Sequence, residues 1–215
     1  MIVITGASDG LGKELARVFR DSGKTVINLS RSPSEFAENI ICDLTDQESI
    51  ESAAKTLLSR VEPLEALINC AGVISIESLN EMKATEIERV FRVNVMGPML
   101  LTSRLVDRIT KDHGDIINIA STVGTKAYEK QAVYGASKWA TRGFSQNLQL
   151  EFKGKPVRVI SVCVGGFVSG LTTKIGMPVT DPENWMKPGD IALCIKQLLE
   201  LPKNMEVSEI IINRK

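Results

Sequence analysis

Short, continuous runs of β-branched and other apolar residues alternate with amphipathic, helix-like stretches along the whole chain. The apolar runs lie at residues 2–4, 25–29, 39–42, 66–69, 115–119, 157–164 and 207–212. Continuous apolar runs are typical of strands that are covered on both faces. The stretches between them predict helices near residues 11–22, 46–61, 85–111, 133–152 and 190–201. Alternating strands and helices predict an α/β fold with a doubly wound parallel sheet of about seven strands.

The length and composition fit one globular domain. The 215 residues are 43% hydrophobic and 24% charged, as in an ordinary folded protein, so we expect a single domain spanning residues 1–215. Lysine and arginine together number 26, and aspartate and glutamate also number 26. This balance gives no electrostatic reason to expect a nucleic-acid or anionic-membrane surface. The longest apolar runs are also far shorter than a membrane span.

The cysteine pattern favours a reducing compartment. The four cysteines lie far apart in sequence and within apolar runs, at Cys42, Cys70, Cys163 and Cys194. This pattern predicts buried free thiols and lacks a CxxC metal or redox motif. Met1 leads straight into an apolar run with no basic segment before it, so a signal peptide is not expected. We therefore expect a cytoplasmic protein, and the single histidine, His113, belongs to no zinc-ligand cluster.

A glycine-rich segment connects the first predicted strand to the first predicted helix. It reads Thr5-Gly6-Ala7-Ser8-Asp9-Gly10-Leu11-Gly12. Gly6 permits a tight turn, Gly10 lets the backbone approach a pyrophosphate, and Gly12 lets the helix pack closely against the strand. The N–H groups and the positive dipole end of the helix then face the phosphates. With a strand before it and a helix after it, the segment predicts dinucleotide binding by a Rossmann-type domain, and a purely structural turn is the alternative.

The TGxxxGxG spacing resembles the short-chain dehydrogenase/reductase family, and the resemblance extends over nearly the whole chain. Ser121, Tyr134 and Lys138 match the family's Ser…Tyr-x-x-x-Lys signature in order and in spacing. Asn94 lies at the position of the fourth catalytic residue of the family. The resemblance implies hydride transfer between a nicotinamide dinucleotide and a carbonyl or alcohol substrate, with Tyr134 as the general acid/base.

Further similarities to the family lie at the ends of predicted strands. Asp43 looks like its adenine contact, with Leu44 beside it. The segment Asn69-Cys70-Ala71-Gly72 is similar to the family's Asn-Asn-Ala-Gly turn, with Cys70 in place of the second Asn. The family's Pro-Gly-x-Val-x-Thr run corresponds to Val164-Gly165-Gly166-Phe167-Val168-Ser169. In that run Phe167 is bulkier than the family's valine, and Ser169 supplies a hydroxyl toward the pyrophosphate.

The end of the second predicted strand indicates which dinucleotide is bound. NAD-binding proteins carry an acidic residue about 20 residues after the glycines, where it bonds the ribose 2′-hydroxyl. Here Ser30 stands at that place, Arg31 and Ser32 follow, and residues 25–33 contain no carboxylate. A guanidinium can clamp a 2′-phosphate with two hydrogen bonds. Asp9 argues mildly against a phosphate, because that position is often basic in NADP-preferring relatives, but we expect NADP(H) to be favoured over NAD(H).

The expected cofactor contacts fall in six segments of the chain. They are Thr5, Gly6, Ser8, Asp9, Gly10, Leu11, Gly12, Ser30, Arg31, Ser32, Asp43, Leu44, Asn69, Ala71, Gly72, Tyr134, Lys138, Gly165, Phe167 and Ser169. The expected catalytic residues are Ser121, Tyr134, Lys138 and Asn94.

Tyr134 and Lys138 are four residues apart on a predicted helix and therefore share one face. A free tyrosine has a pKa of about 10 and is a poor base near neutrality. A nearby ammonium favours the phenolate, so we expect Lys138 to lower the pKa of Tyr134. By resemblance, Lys138 also holds the nicotinamide ribose, Ser121 contacts the substrate oxygen, and Asn94 holds a water that connects Lys138 to solvent.

Two segments show where this chain is short or irregular. The segment between Arg31 and Asp43 leaves little room for a helix between the second and third strands. Residues 165–189 are poor in both strand and helix patterns, and irregular segments of this length are often functional. By analogy, residues 170–188 form a lid over the substrate. Its apolar residues Met177, Trp185 and Met186 either line the substrate pocket or form the core of a small lid helix.

A non-catalytic dinucleotide-binding sensor or scaffold is the alternative to an enzyme. The intact set of Ser121, Tyr134 and Lys138 argues against it, because a sensor needs no proton donor. A sugar-nucleotide epimerase or dehydratase is disfavoured because such relatives usually carry an added C-terminal substrate domain. Family members often pair through the helices that correspond to residues 85–111 and 133–152, so a homodimer or homotetramer is expected by analogy.

Overall fold

Parallel strands form one sheet in the part of the chain that the structure describes. The computed structural model describes residues 1–170 and 184–215. Its seven strands are β1 (Ile2–Thr5), β2 (Val26–Ser30), β3 (Glu38–Ile41), β4 (Ala66–Asn69), β5 (Asp115–Ser121), β6 (Val159–Val164) and β7 (Glu209–Ile212). Their order across the sheet is β3-β2-β1-β4-β5-β6-β7. The chain thus builds outward from β1 on one side and then on the other, which confirms the predicted doubly wound α/β fold.

Helices cover both faces of this sheet. They are α1 (Gly10–Asp21), α2 (Gln47–Leu58), α3 (Ala84–Phe91), α4 (Gly97–Lys111), α5 (Ala132–Glu151) and α6 (Pro188–Glu200). Apolar residues of α1 and α6 share one core with the sheet, and those of α2, α4 and α5 share the other. None of the helices within the described residues is long and apolar enough to cross a bilayer.

The strand β1 shows why the inner strands are apolar at every position. The side chains of Ile2 and Ile4 pack into the core that contains α1 and α6, whereas Val3 packs into the core on the other face. Successive strand residues point to opposite faces, so a strand with two covered faces is apolar throughout. The expectation of two covered faces is wrong for β3, which lies at the edge of the sheet and exposes Asn39 and Ile41.

The connection between β2 and β3 comprises residues 31–37 alone and contains turns in place of a helix. This confirms the prediction of little room in that segment. Parallel neighbours usually need a crossover of a dozen or more residues. The short connection therefore begins at the carboxyl end of β2 and returns to the level of Ile27, where β3 begins.

The predicted helix over residues 85–111 is interrupted. A π-helical turn, Arg92–Met96, separates α3 from α4. Pro98 in the first turn of α4 lacks the N–H that would bond the carbonyl of Asn94 in a regular helix. The hydroxyl of Thr141 donates to that carbonyl at 3.2 Å instead. The interruption thus has a local cause, and it turns the Asn94 side chain toward the loop that follows β4.

Two glycines shape the turn between β1 and α1. Gly6 has a φ of 73°, in the region that side chains disfavour. Gly12 lies in the first turn of α1, where an added Cβ would stand 2.2 Å from the carbonyl oxygen and 2.8 Å from the carbonyl carbon of Gly6. Both of these neighbours are backbone atoms and cannot rotate away. The close packing of α1 on the end of β1 therefore requires glycine at position 12.

This packing predicts that Gly12→Ala destabilises the fold. We expect the free energy of unfolding to fall by about 2–3 kcal/mol, because overpacking against fixed atoms forces the backbone apart. Urea unfolding followed by circular dichroism measures the change. The matched control is Gly143→Ala in α5, where an added Cβ would meet no atom within 4 Å. Removing a glycine from a helix interior should stabilise that variant by about 0.5–1 kcal/mol, and equal effects of the two substitutions would contradict the packing argument.

Candidate active site

The turns that follow β1 and β4 are joined by one hydroxyl group. Thr5, which is fully buried, accepts hydrogen bonds at its Oγ1 from the backbone N–H groups of Cys70 and Ala71, each at 3.0 Å. Gly6 then packs on Ala71, since an added Cβ would stand 2.9 Å from the Ala71 Cα. The glycine turn and the turn after β4 thus form one wall of a cleft at the carboxyl ends of the strands.

The N-terminus of α1 lies at the same end of the sheet. Asp9 is the N-cap residue, and its carboxylate accepts a hydrogen bond of 2.7 Å from the N–H of Gly10. This position is often basic in NADP-preferring relatives. Asp9 is explained here by its role as the helix cap, because aspartate is a favourable N-cap residue. Leu11 is buried beneath the turn, and an added Cβ on Gly10 would meet Ser169 at 3.8 Å. The structure therefore brings Ser169 to the glycine turn.

Ser8, Ser30, Arg31 and Asp43 meet at the ends of β1, β2 and β3. The hydroxyl groups of Ser8 and Ser30 lie 3.0 Å apart, and the Ser30 hydroxyl accepts from the N–H of Ser32 at 3.2 Å. The side chain of Arg31 is 75% exposed, and its Nη1 lies 4.0 Å from the Asp43 Oδ2. A guanidinium and the hydroxyl groups of Ser8 and Ser30 thus lie in one region of the surface.

The carboxylate of Asp43 is engaged within its own loop. Its Oδ1 accepts from the N–H and the hydroxyl of Thr45, at 2.9 and 2.7 Å. Burial acts to raise the pKa of Asp43, but these hydrogen bonds and the charge of Arg31 outweigh it, so the pKa is lowered. The neighbouring Leu44 points its side chain into the core with α2 and α4, and its backbone carbonyl packs on Gly97, where an added Cβ would stand 2.6 Å from the oxygen.

Ser121 and Tyr134 are brought together at the end of β5. Ser121 is the last residue of β5, and its hydroxyl is hydrogen-bonded to the phenol of Tyr134 near the start of α5. Burial raises the pKa of Tyr134 to about 12, and the hydrogen bond from Ser121 opposes this only in part. The phenol is therefore protonated at neutral pH.

Lys138 lies one turn further along α5 and is 6% exposed. Its Nζ donates to the backbone carbonyl of Ile119 at 2.9 Å and stands 5.9 Å from the centre of the Tyr134 ring. Burial lowers the pKa of Lys138 to about 8. The expectation that Lys138 lowers the pKa of Tyr134 is wrong for this structure. The ammonium is directed at a carbonyl rather than at the phenol, and the desolvation of both groups dominates.

Asn94 and Gly72 complete this cluster. The Asn94 Nδ2 donates to the Val73 carbonyl at 2.9 Å and to the Ser137 hydroxyl at 3.0 Å, while its Oδ1 accepts from the Val73 N–H at 2.8 Å. An added Cβ on Gly72 would stand 3.5 Å from the Asn94 Oδ1 and 3.6 Å from the Lys138 Nζ. Glycine at this position therefore leaves the space beside the ammonium open. The π-helical turn and Ser137 both support Asn94, and neither was identified from the sequence.

The side chain of Asn69 is directed away from this cluster. Its Nδ2 donates to the Thr102 hydroxyl at 3.2 Å and to the Asn118 Oδ1 at 2.8 Å. Asn118 in turn donates to Ser145 at 2.9 Å. These buried polar groups join β4 to β5, α4 and α5. Asn69 thus supports the sheet with its side chain, and its backbone is the part that borders the cleft.

The loop after β6 borders the cleft on its other side. The N–H of Gly165 donates to the Ile212 carbonyl at 2.8 Å. Phe167 pairs with Met186 in a parallel bridge, and both pack against the core that contains α1 and α6. Trp185 is buried, and an added Cβ on Gly166 would meet its ring at 3.4 Å. Trp185 and Met186 are therefore packing residues, and Met177 lies outside the described residues.

His113 lies at the opposite end of the sheet, in the turn between α4 and β5 with a φ of 56°. Its carbonyl accepts a hydrogen bond of 3.0 Å from Lys203. The four cysteines are unpaired, and Cys42 and Cys163 are buried. Across residues 1–170 and 184–215, no group of three or more His, Cys, Asp and Glu side chains is arranged to hold a metal ion.

Comparison with known proteins gives consistent matches. The family model described as short chain dehydrogenase matches residues 1–179. Carbonyl reductase family member 4 of Danio rerio is 27% identical over 94% of this chain and 92% of its own length. The structure of 4-hydroxyisoleucine dehydrogenase with NADH and succinate covers 100% of this chain and 98% of its own, at 26% identity and a TM-score of 0.84. A closed form of serine dehydrogenase with NADP+ shares the fold, with a TM-score of 0.84, 24% identity, and 99% and 94% of the two chains covered.

The lowered pKa of Lys138 predicts a pH-dependent stability. Between about 8 and the ordinary value of 10.5, the unfolded chain binds more protons at this site than the folded chain does. The free energy of unfolding therefore rises with pH through this window. From about pH 7.5 to about pH 9.5, we expect the wild type to gain about 1–2 kcal/mol relative to Lys138→Met.

Urea unfolding at the two pH values measures this difference. Lys111→Met, at an exposed lysine of α4, is the control and should follow the wild type. If the free energy of unfolding of Lys138→Met changes with pH in parallel with that of the wild type, the lowered pKa is contradicted.

Proposed function

Because this chain belongs to the short chain dehydrogenase family, we propose that it is an oxidoreductase that transfers a hydride between NADP(H) and a carbonyl or alcohol substrate. The observation that carries the proposal is the cluster of Ser121, Tyr134 and Lys138 at the end of β5. A hydroxyl, a protonated phenol and a buried ammonium lie together there, and protonation of a carbonyl oxygen needs such groups. The proposal takes residues 1–215 as one catalytic domain.

The carboxyl edge of the sheet fits a bound dinucleotide. The N–H groups at the start of α1 suit a pyrophosphate, which would take the place of the Asp9 carboxylate at the Gly10 N–H. Gly72 leaves open space beside the Lys138 Nζ, where ribose hydroxyl groups would be held. The dinucleotide, when bound, would supply or accept the hydride. Asp43, Gly165, Phe167 and Ser169 border the remaining length of this cleft.

The preference for NADP(H) rests on the end of β2. Solved relatives of this fold contain either NADP+ or NADH, so the preference is argued from the residues of this chain. Arg31 is exposed, and its Nη1 lies 4.0 Å from the Asp43 Oδ2, which is a long distance for an ion pair. A 2′-phosphate would compete with Asp43 for Arg31, because a bidentate hydrogen-bonded contact between guanidinium and phosphate is stronger than this exposed ion pair. Ser30 and Ser32 would add hydroxyl donors.

Tyr134 is the proposed acid in carbonyl reduction. Its pKa of about 12 keeps the phenol protonated at neutral pH, so the hydroxyl can donate a proton to the substrate oxygen. The Ser121 hydroxyl, already bonded to the phenol, would contact the same oxygen. Lys138 would stabilise the phenolate that remains after the transfer. Asn94 would link Lys138 to solvent through a water molecule.

Assembly and location are also part of the proposal. We expect a homodimer or homotetramer that forms through the helices α4 and α5. The exposed apolar side chains of Trp139 and Leu150 on α5 support this. The unpaired cysteines support a reducing, cytoplasmic location.

Tyr134→Phe tests the proposed chemistry. The substitution removes one hydroxyl and keeps the ring, so we expect the Kd for NADPH to change by less than about tenfold. Carbonyl reduction should fall by about 10²–10⁴-fold, because the positioned acid is lost. Fluorescence titration with NADPH and steady-state turnover with a panel of ketones, aldehydes and quinones measure the two quantities on one preparation.

The control is Tyr128→Phe, the same substitution at the other tyrosine of the chain. It should retain turnover. A Tyr134→Phe protein that also retains turnover would show that another group supplies the proton. A wild-type protein that binds NADPH tightly but reduces nothing in the panel would favour a dinucleotide-binding sensor.

Arg31→Asp tests the proposed cofactor. The carboxylate would repel a 2′-phosphate and accept a hydrogen bond from a 2′-hydroxyl, so the ratio of the Kd for NADPH to that for NADH should rise by about 10²-fold or more. Lys111→Asp makes the same change of charge near the opposite end of the sheet and should leave the ratio unchanged. An unchanged ratio in Arg31→Asp would exclude Arg31 as the determinant of cofactor choice.

A further inference from the structure

The short connection between β2 and β3 is held by two asparagines that no sequence motif identifies. Asn28 and Asn39 are direct partners in the register of these parallel strands. The Asn28 Nδ2 donates to the Asn39 Oδ1 at 2.8 Å. The two amides therefore form a bridge between the strands, directly below the loop that contains Arg31 and Ser32.

Asn28 connects this bridge to the glycine turn. It is 1% exposed, and its Oδ1 accepts from the N–H of Ala7 at 2.9 Å. Its Nδ2 donates to the carbonyl of Ser32 at 3.0 Å as well as to Asn39. The N–H of Ala7 can only donate and the carbonyl of Ser32 can only accept, so the orientation of the amide is determined.

Asn39 fixes the second half of the loop. Its Oδ1 accepts from the N–H of Ser34 at 2.7 Å. Its Nδ2 donates to the carbonyls of Ser34 and Ala37, at 3.1 and 3.2 Å. One side chain thus binds three backbone groups of a loop that has no helix to satisfy them. Asn39 itself is exposed at the sheet edge, so its replacement leaves these groups accessible to water.

The end of the loop is anchored on α1. The ring of Phe36 lies between the Arg20 guanidinium, 4.5 Å from the ring centre, and the Lys13 ammonium, 5.5 Å from it. Glu35 forms an ion pair of 2.6 Å with Lys13. Together with the bonds from Asn28 and Asn39, these contacts hold the loop at Ser32 and at residues 34–37.

We propose that Asn39 is a positioning residue that determines cofactor choice by fixing the β2–β3 loop, so that the backbone presents Arg31 and Ser32 to the 2′-phosphate. The inference rests on the proposed use of NADP(H). The long side chain of Arg31 has no close partner besides Asp43 among the described residues. Asn39 accepts from the Asn28 amide that holds the Ser32 carbonyl, and it binds Ser34 itself, so the backbone that follows Arg31 depends on it. Rigid presentation removes the cost of ordering the loop when the phosphate binds.

Asn39→Ala tests this inference by binding measurements with NADPH and NADH. We expect the Kd for NADPH to rise by about 3- to 10-fold and the Kd for NADH to change by less than about twofold, because only the 2′-phosphate contacts the loop. Asn147→Ala is the control: this exposed asparagine of α5 donates to the Gly143 carbonyl, and its loss should change neither Kd. Thermal unfolding of both variants checks that the fold is retained.

A double-mutant cycle with Arg31→Ala separates positioning from a general structural effect. In the Arg31→Ala protein, the loop no longer presents a positive charge, so adding Asn39→Ala should change the Kd for NADPH by less than about twofold. An equal loss of affinity for both cofactors in Asn39→Ala would overturn the inference, as would an unchanged Kd for NADPH.

The outcome for the wild type separates this inference from the proposed function. A wild-type protein that binds NADPH no more tightly than NADH would overturn the proposed cofactor preference and the inference with it. A wild-type preference that is lost in Arg31→Ala but kept in Asn39→Ala would overturn the inference alone.

Discussion

The common direction of the strands brings the carboxyl ends of β1, β4, β5 and β6 to one edge of the sheet, and the polar groups that leave these ends must find partners there. Thr5 binds the N–H groups of Cys70 and Ala71, which joins the first two ends. The N–H of Gly165 binds the carbonyl of Ile212, which joins the last strands. These bonds tie the turns that border the cleft to the ends of the strands.

Within this cleft, burial acts in opposite directions on the two ionisable groups of α5. It raises the pKa of Tyr134 to about 12 and lowers the pKa of Lys138 to about 8. Both changes favour the neutral forms of the two groups. The carbonyl of Ile119 offsets part of the cost for the ammonium. A phenol that strongly retains its proton is suited to act as an acid only when charge develops on a bound oxygen beside it.

Much of this arrangement could be predicted from the sequence because it depends on local patterns. Continuous apolar runs give strands with two covered faces, and the i, i+4 spacing puts Tyr134 and Lys138 on one face of α5. The break at Pro98 was missed because a proline in an otherwise helical pattern does not specify the π-helical turn before it. The pKa of Tyr134 could not be predicted, since it depends on how deeply the phenol is buried and on where the Lys138 ammonium points. Both properties are set by tertiary packing.

The loop after β2 shows that an arginine at position 31 is not enough to form a binding site, because the backbone around it must also be held in place. A connection of residues 31–37 between parallel strands is too short for the usual crossover helix, so its backbone groups lack the regular hydrogen bonds of a helix. Asn28 and Asn39 supply the missing partners from the strands themselves. Because Asn28 also binds the N–H of Ala7, the loop and the glycine turn share one buried amide. The chain can thus keep the loop and the glycine turn in register without a crossover helix, because two side-chain amides supply hydrogen-bond partners to the loop backbone.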